Sequence, residues 1–177
     1  GLIKINFNQE PTKLTIQSIP QKQFYTYSKK DSTFIYYNPD NEAWKIVINA
    51  ENQLDTIDIK RIEKKNLPAP KFQLLEKSLP FPTTIQPYEP IKLTFNLPIA
   101  SFNKDSIVLY ADTTKSVKLP IEIKIDSLNA NHLNIQYDFG DSKLYLLQVA
   151  PNAVKSYYGT TFDTVFIQKY NSLDKKT

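Results

Sequence analysis

Between Pro90 and Pro98 the chain reads Ile91-Lys92-Leu93-Thr94-Phe95-Asn96-Leu97, and the apolar set 91, 93, 95, 97 continues to Ile99. A period of two is that of a strand with one wet and one buried face, so this stretch is expected to be a core strand of a β-sandwich. The two prolines punctuate its ends, because proline donates nothing to a ladder. The same alternation runs through both halves of the chain. In the first, 2–7, 13–19, 24–27, 33–37, 43–48 and 56–62 read as strands. In the second, the expected strands are 106–110, 117–125, 132–137, 143–149 and 164–167. Asn38-Pro39-Asp40-Asn41 is a strong turn signal, and Pro120 places 117–125 at an edge or bulge. The Asp138-Phe139-Gly140-Asp141 turn is expected to join the strands on either side of it as a hairpin. Only 150–159, ending at Gly159, reads as a helical turn.

Short strands separated by turns every eight to twelve residues are the pattern of small sandwiches. The fold class is therefore all-β, as two tandem immunoglobulin-like β-sandwich modules. Leu67-Pro68-Ala69-Pro70 favours an extended, stiff connection. The expected division is an N-terminal module at 1–66, a proline-rich linker at 67–70, a C-terminal module at 71–170 and a polar tail at 171–177, with 169–177 expected to fray.

Composition narrows the chemistry. Cysteine is absent, which removes disulfides, thiolate metal sites and a cysteine nucleophile, and no apolar run approaches the ~20 residues that span a bilayer. The net charge of +4 is divided evenly: residues 1–66 carry ten basic against eight acidic side chains and the remainder twelve against ten. A nucleic-acid partner calls for basic residues gathered on one face, so none is expected. Lys60-Arg61 and Lys64-Lys65, with Glu63 between them, read as a solvated linker. Methionine is also absent, and a start at Gly1 on a strand reads as an excised segment.

Catalytic constellations are hard to assemble. His132 is the single histidine and has no serine elbow to accompany it, and Asp138-Phe139-Gly140 lacks the other elements of a kinase site. Calcium on sandwich loops is the remaining chemistry, with Asp138 and Asp141, or Asp112 and Asp126, as candidate carboxylates and ordinary turns as the alternative. The expectation is no enzyme, no cofactor and no metal site. One group stands out: Phe24, Tyr25, Tyr27, Phe34, Tyr36, Tyr37 and Trp44. Alternate residues of a strand point opposite ways, so some of these belong to the core and some to the surface. Tyr25, Tyr27, Tyr36 and Trp44 are the candidate interaction face, for a protein or a glycan.

Several phrases of the second half carry a family resemblance. They are Pro90-Ile91-Lys92-Leu93-Thr94-Phe95-Asn96-Leu97-Pro98-Ile99, Phe102-Asn103-Lys104-Asp105-Ser106-Ile107, Tyr145-Leu146-Leu147-Gln148-Val149-Ala150-Pro151-Asn152-Ala153-Val154, and Tyr158-Gly159-Thr160-Thr161-Phe162-Asp163-Thr164. In this order they resemble the bacterial immunoglobulin-like domain of the Big_5 or SbsA type found in Bacteroidota envelope lipoproteins, over about residues 85–168. Asn152 stands where that family often has Gly, and Ser156 where it often has Asp. The resemblance implies a non-catalytic scaffold or spacer in a larger lipoprotein of the bacterial envelope. Such a protein is held on the periplasmic or surface side of the outer membrane by a segment outside this chain, with other envelope proteins as partners. A carbohydrate-binding accessory module is the alternative.

Overall fold

The computed structural model describes residues 1–38, 42–61, 71–141 and 143–174. The chain forms two compact units, Gly1–Ala69 and Pro70–Thr177, and among the described residues every regular element longer than one 3-10 turn is a strand. The 67–70 linker and residues 39–41 of the Asn38 turn lie outside the described residues.

Six strands make up the N-terminal unit: β1 (Leu2–Asn6), β2 (Leu14–Ile19), β3 (Phe24–Lys29), β4 (Ser32–Tyr37), β5 (Trp44–Ala50) and β6 (Gln53–Ile59). They form two antiparallel sheets, β1-β4-β3 and β2-β5-β6. Ile3 and Ile5 of β1, Ile35 of β4, and Trp44, Ile46 and Ile48 of β5 lie on the facing sides, where they close a single core with Ile59. The two-residue turn joining β5 to β6 has both Glu51 (φ 50°) and Asn52 (φ 65°) left-handed, the geometry that matches strand twist in tight hairpins. The Glu51 carboxylate accepts from the Thr12 and Lys13 amides and from the Thr12 hydroxyl. That last bond, first among several, holds its pKa below the ordinary glutamate range.

The C-terminal unit contains β7 (Thr83–Ile85), β8 (Ile91–Thr94), β9 (Ile99–Phe102), β10 (Ile107–Tyr110), β11 (Glu122–Ile125), β12 (His132–Gln136), β13 (Leu144–Val149), β14 (Val154–Ser156) and β15 (Phe166–Ser172). One sheet has the order β10-β13-β15-β7 and the other β11-β12-β8, with a small β14-β9 pair beside them. All pairings are antiparallel except β7 with β15. Three strands against four, with the chain changing sheet after β7, β8, β10 and β12, is the immunoglobulin-like arrangement. Between the sheets Leu93, Leu109, Leu133, Ile135, Leu147 and Val149 are fully buried. Phe95 stacks on Phe72 at 4.9 Å and meets Phe162 edge-on at 5.8 Å.

Several sequence expectations are corrected here. The run through 91–99 is two strands, because Asn96 leaves the ladder: its N–H donates to Gln73 O (3.0 Å), its Oδ1 accepts from Gln73 N (2.8 Å), and its Nδ2 reaches Lys71 O (2.9 Å). Pro98, with no N–H to give, completes the break. The run at 117–125 also splits. Leu119 N donates to Leu109 O (2.9 Å) on the β10 side, whereas β11 pairs with β12, so the chain changes sheet around Pro120. No hairpin joins β12 and β13, which belong to opposite sheets. There Gly140 N donates to Tyr145 Oη at 2.8 Å, so a tyrosine early in one strand ties down the corner that leads into it.

The expected helical turn at 150–159 is instead a bend followed by β14. Asn152 adopts φ 61° at this bend, and its Oδ1 accepts from Thr161 Oγ1 at 2.8 Å. Gly159 takes φ 83° in a turn closed by its N–H on Ser156 O (3.0 Å). At the C-terminus, β15 continues to Ser172, with Tyr170 and Ser172 buried, so the stretch expected to fray from 169 is ordered at least that far. Residues 175–177 lie outside the described residues.

Removing the corner hydroxyl in Tyr145→Phe leaves the Gly140 amide without this acceptor and is expected to cost about 1 kcal/mol in denaturant unfolding. Leu133→Ala, at a site with no exposure, is expected to cost about 3 kcal/mol. Equal midpoints for wild type and both variants would contradict this account of the core.

Candidate functional site

Strand alternation divides the aromatic group of the N-terminal unit between two faces. On the β1-β4-β3 sheet, Ile3, Ile35 and Phe24 turn inward with Tyr37. The opposite face carries two aromatic rungs. In one, Leu2, Tyr36 and Tyr25 lie side by side across the three strands; in the next, Lys4, Phe34 and Tyr27 do so. Tyr25 and Tyr36 ring centroids are 6.1 Å apart, and Tyr27 stacks on Phe34 at 5.8 Å and 18°. Lys4 Nζ stands 5.7 Å from the Phe34 ring centre, within cation–π range. The following rung is polar: Asn6, Ser32 and Lys29, with Ser32 Oγ donating to Asn6 Oδ1 at 2.9 Å. A patch of four rings is thus bordered by a cation on one side and hydroxyl and amide groups at one end.

Three of the four anticipated residues, Tyr25, Tyr27 and Tyr36, share this face. Trp44 does not. It is 3% exposed, lies on the inward side of β5, and packs edge-on against Tyr37 at 5.6 Å. Its position before Ile46 and Ile48 already marked it as part of the inward set. Tyr36 is buried beside its neighbours, while Tyr25, Tyr27 and Phe34 are half-buried. Phe34, Leu2 and Lys4 complete the face but were not in the anticipated set of four. Their signal was the cross-strand register, which no single strand reveals.

Asp112 and Asp126 each accept hydrogen bonds from residues of their own loops. Asp112 accepts from Thr114 Oγ1 (2.8 Å), Ser116 N (3.2 Å) and the Ser116 hydroxyl. The Ser116 hydroxyl, then that of Thr114, lowers its pKa to about 2. Asp126 sits in the β11–β12 hairpin, where Leu128 N donates to it at 2.9 Å; that bond leads the causes lowering its pKa. His132 begins the next strand, its Nδ1 3.7 Å from Asp126 Oδ2 and its Nε2 3.2 Å from Asn129 Nδ2. These contacts shape a hairpin and offer no activated nucleophile. Among the described residues, no group of three or more His, Cys, Asp or Glu converges as a metal site would require.

One cleft of about 450 Å³ in the C-terminal unit is lined by residues of β7, β8 and β15, among them Ile85, Ile91, Lys92, Gln168 and Tyr170, with Glu76 and Glu89 from the adjoining loops. Burial, with Glu76 adding to it, pushes the Tyr170 phenol well above the ordinary tyrosine range, so it stays a neutral hydroxyl. All four polar contacts of Gln168 are made within the protein, to 79–83 and to Lys169.

No family model matches this chain, and no curated protein matches it. Among solved structures, it is similar to domains 5–6 of the S-layer protein SbsC, at 8% identity and TM-score 0.33, over 98% of this chain and 89% of that one. Domains 4–9 of the surface layer protein SbsC align at 8% identity and TM-score 0.37 over 98% of this chain, which spans 28% of that structure. A titin structure aligns at 9% identity and TM-score 0.31, over 97% and 88% of the two chains. At such scores these likenesses carry no argument about function or location. The immunoglobulin-like assignment of the C-terminal unit stands on its own strand order. Among the described residues no helix is long and apolar enough to cross a membrane.

Two measurements check the site geometry. Trp44, the only tryptophan, should emit at short wavelength and resist acrylamide quenching in the folded chain; ready quenching would place it on the surface. The Asp112 carboxyl should titrate near 2 by NMR. Because its folded pKa lies below the unfolded value, its contribution to stability is present above about pH 4 and is lost as pH falls toward 2. Ser116→Ala should move the midpoint upward.

Proposed function

We propose that the chain is a non-catalytic segment of a larger cell-envelope protein, an outer-membrane lipoprotein by its resemblance to the Big_5 type, and that it works as a scaffold with a protein-contact surface. The two modules divide at a proline-rich linker over 67–70. The observation that carries the contact reading is the ring patch Tyr25, Tyr27, Phe34 and Tyr36 on the outer side of the β1-β4-β3 sheet. Aromatic rings with hydroxyl ends bury large area at low rotamer cost and accept both apolar and polar neighbours, which is why they are enriched at protein interfaces. Lys4 and the polar rung of Asn6, Ser32 and Lys29 supply the border that such surfaces carry. Against a carbohydrate-binding role stands the position of Trp44, the ring best suited to stack on a sugar, inside the core.

Capture of the full-length protein from solubilised membranes tests the proposal when paired with the double variant Tyr25→Ser, Tyr27→Ser. Loss of each interface ring is worth about 1–2 kcal/mol or more, so the double variant should bind a partner at least tenfold less while its circular dichroism is unchanged. Undiminished partner recovery with the variant would remove the contact surface. Binding to a glycan array that the same variant abolishes would favour the accessory module instead.

A further inference from the structure

We infer that the outer edge of β8 is a docking site for an extended segment of a partner protein, which pairs with Lys92 and sets one side chain into the cleft beside it. The inference concerns the C-terminal unit and goes beyond the ring patch proposed above. Phe95 N donates to Asn131 O, so the backbone groups of Phe95, Leu93 and Ile91 face β12, and those of Thr94 and Lys92 between them turn the other way. Part of that outer edge is covered by the chain itself. Asn96 N donates to Gln73 O (3.0 Å) and Leu75 N to Thr94 O (2.8 Å), and the Glu76 carboxylate then takes the Thr94 amide with both oxygens (3.0 and 2.8 Å). There the cover stops. The Lys92 N–H and C=O make no hydrogen bond to a described residue, so a strand laid beside them continues the line that 73–75 begins.

The cleft sets the chemistry of the side chain that enters it. Ile85, Ile91 and Phe166 give it apolar walls, and Lys92, Glu76 and Tyr170 line it as well. Tyr170 is 8% exposed, and its hydroxyl makes no hydrogen bond to a described residue, whereas Gln168 in the same cleft has its bonds made within the protein. A buried polar group that its own fold leaves unpaired calls for a partner from outside. Burial, then the Glu76 charge, keeps this phenol protonated, so it offers a donor. A carboxylate entering here meets the repulsion of Glu76; a neutral acceptor does not. Lys77 and Lys92 balance Glu76 and Glu89 in the lining, so the cleft has no net charge with which to select an ion. A side chain with an apolar stem and an amide end, Gln or Asn, suits all of these groups: its oxygen can accept from Tyr170 and its nitrogen can donate to Glu76. In strand addition main-chain bonds supply affinity, and the pocket that receives a side chain supplies specificity.

The test pans a random peptide library displayed on phage against the full 177-residue chain. Enriched peptides should share a Gln or Asn among strand-forming residues and, made synthetically, should protect the Lys92 amide from hydrogen exchange. In the chain alone that amide should exchange much faster than the Leu93 amide, which faces β12. Tyr170→Phe removes the hydroxyl and no bond within the protein, so it should weaken the selected peptides on the order of tenfold at an unchanged unfolding midpoint. Lys92→Pro removes the edge donor and should abolish binding; proline is tolerated on an outward edge, and Tyr170→Phe serves if this variant does not fold. A Lys92 amide as protected as that of Leu93 in the chain alone would overturn the inference. So would a library that yields no peptide protecting Lys92, or peptides that bind both variants as they bind wild type. Protection that rises with protein concentration and needs no peptide assigns the edge to a second copy and overturns the partner segment. The double variant Tyr25→Ser, Tyr27→Ser should bind the peptides undiminished, so failure here and failure of the ring patch are separate results.

Discussion

The fold depends on how the backbone satisfies its polar groups where it passes from one sheet to the other. Within a ladder each buried N–H and C=O has a partner; at a crossing it has none unless something else supplies one. In the C-terminal unit side chains do so at each critical place. Asn96 stands in for a strand opposite 71–73, Tyr145 takes the Gly140 amide at the corner after β12, and Glu76 takes the Thr94 amide where the 72–76 stretch leaves β8. Gln168 does the same for 79–83. Each of these residues is polar, lies beside an apolar core and makes its bonds within the protein.

Carboxylates meet the same need in the loops: Asp112 holds Thr114 and Ser116, Asp126 holds Leu128, and Glu51 holds Thr12 and Lys13. The ring patch of the β1-β4-β3 sheet, by contrast, lies on the side of that sheet turned away from the core.

The anticipated interaction face shows where reading a strand in isolation stops. Tyr25 and Tyr27 are two apart and must share a face, as must Phe34 and Tyr36, and Trp44 with Ile46 and Ile48. That much is periodicity. Which of the two faces meets the core is decided by the neighbouring strands. Thr33 and Ile35 turn inward because Ile3 and Ile5 of β1 lie beside them, and this sends Phe34 and Tyr36 outward. For β5 the inward set is the one containing Trp44.

Alternation with period two, prolines at strand ends and turn residues at short intervals were sufficient to determine from sequence that the chain is all-β, and most of its strands, because these are local consequences of side-chain direction and proline chemistry. The breaks at Asn96 and Pro120, the absence of a hairpin between β12 and β13, the strand in place of a helical turn near 154, and the ordered end of β15 were decided by the tertiary structure. Each depends on which strand lies alongside, and the bonds that settle it join residues as far apart in sequence as Ile85 and Leu173. Local sequence fixes which side chains share a face; only the packed sheets decide which face stays wet.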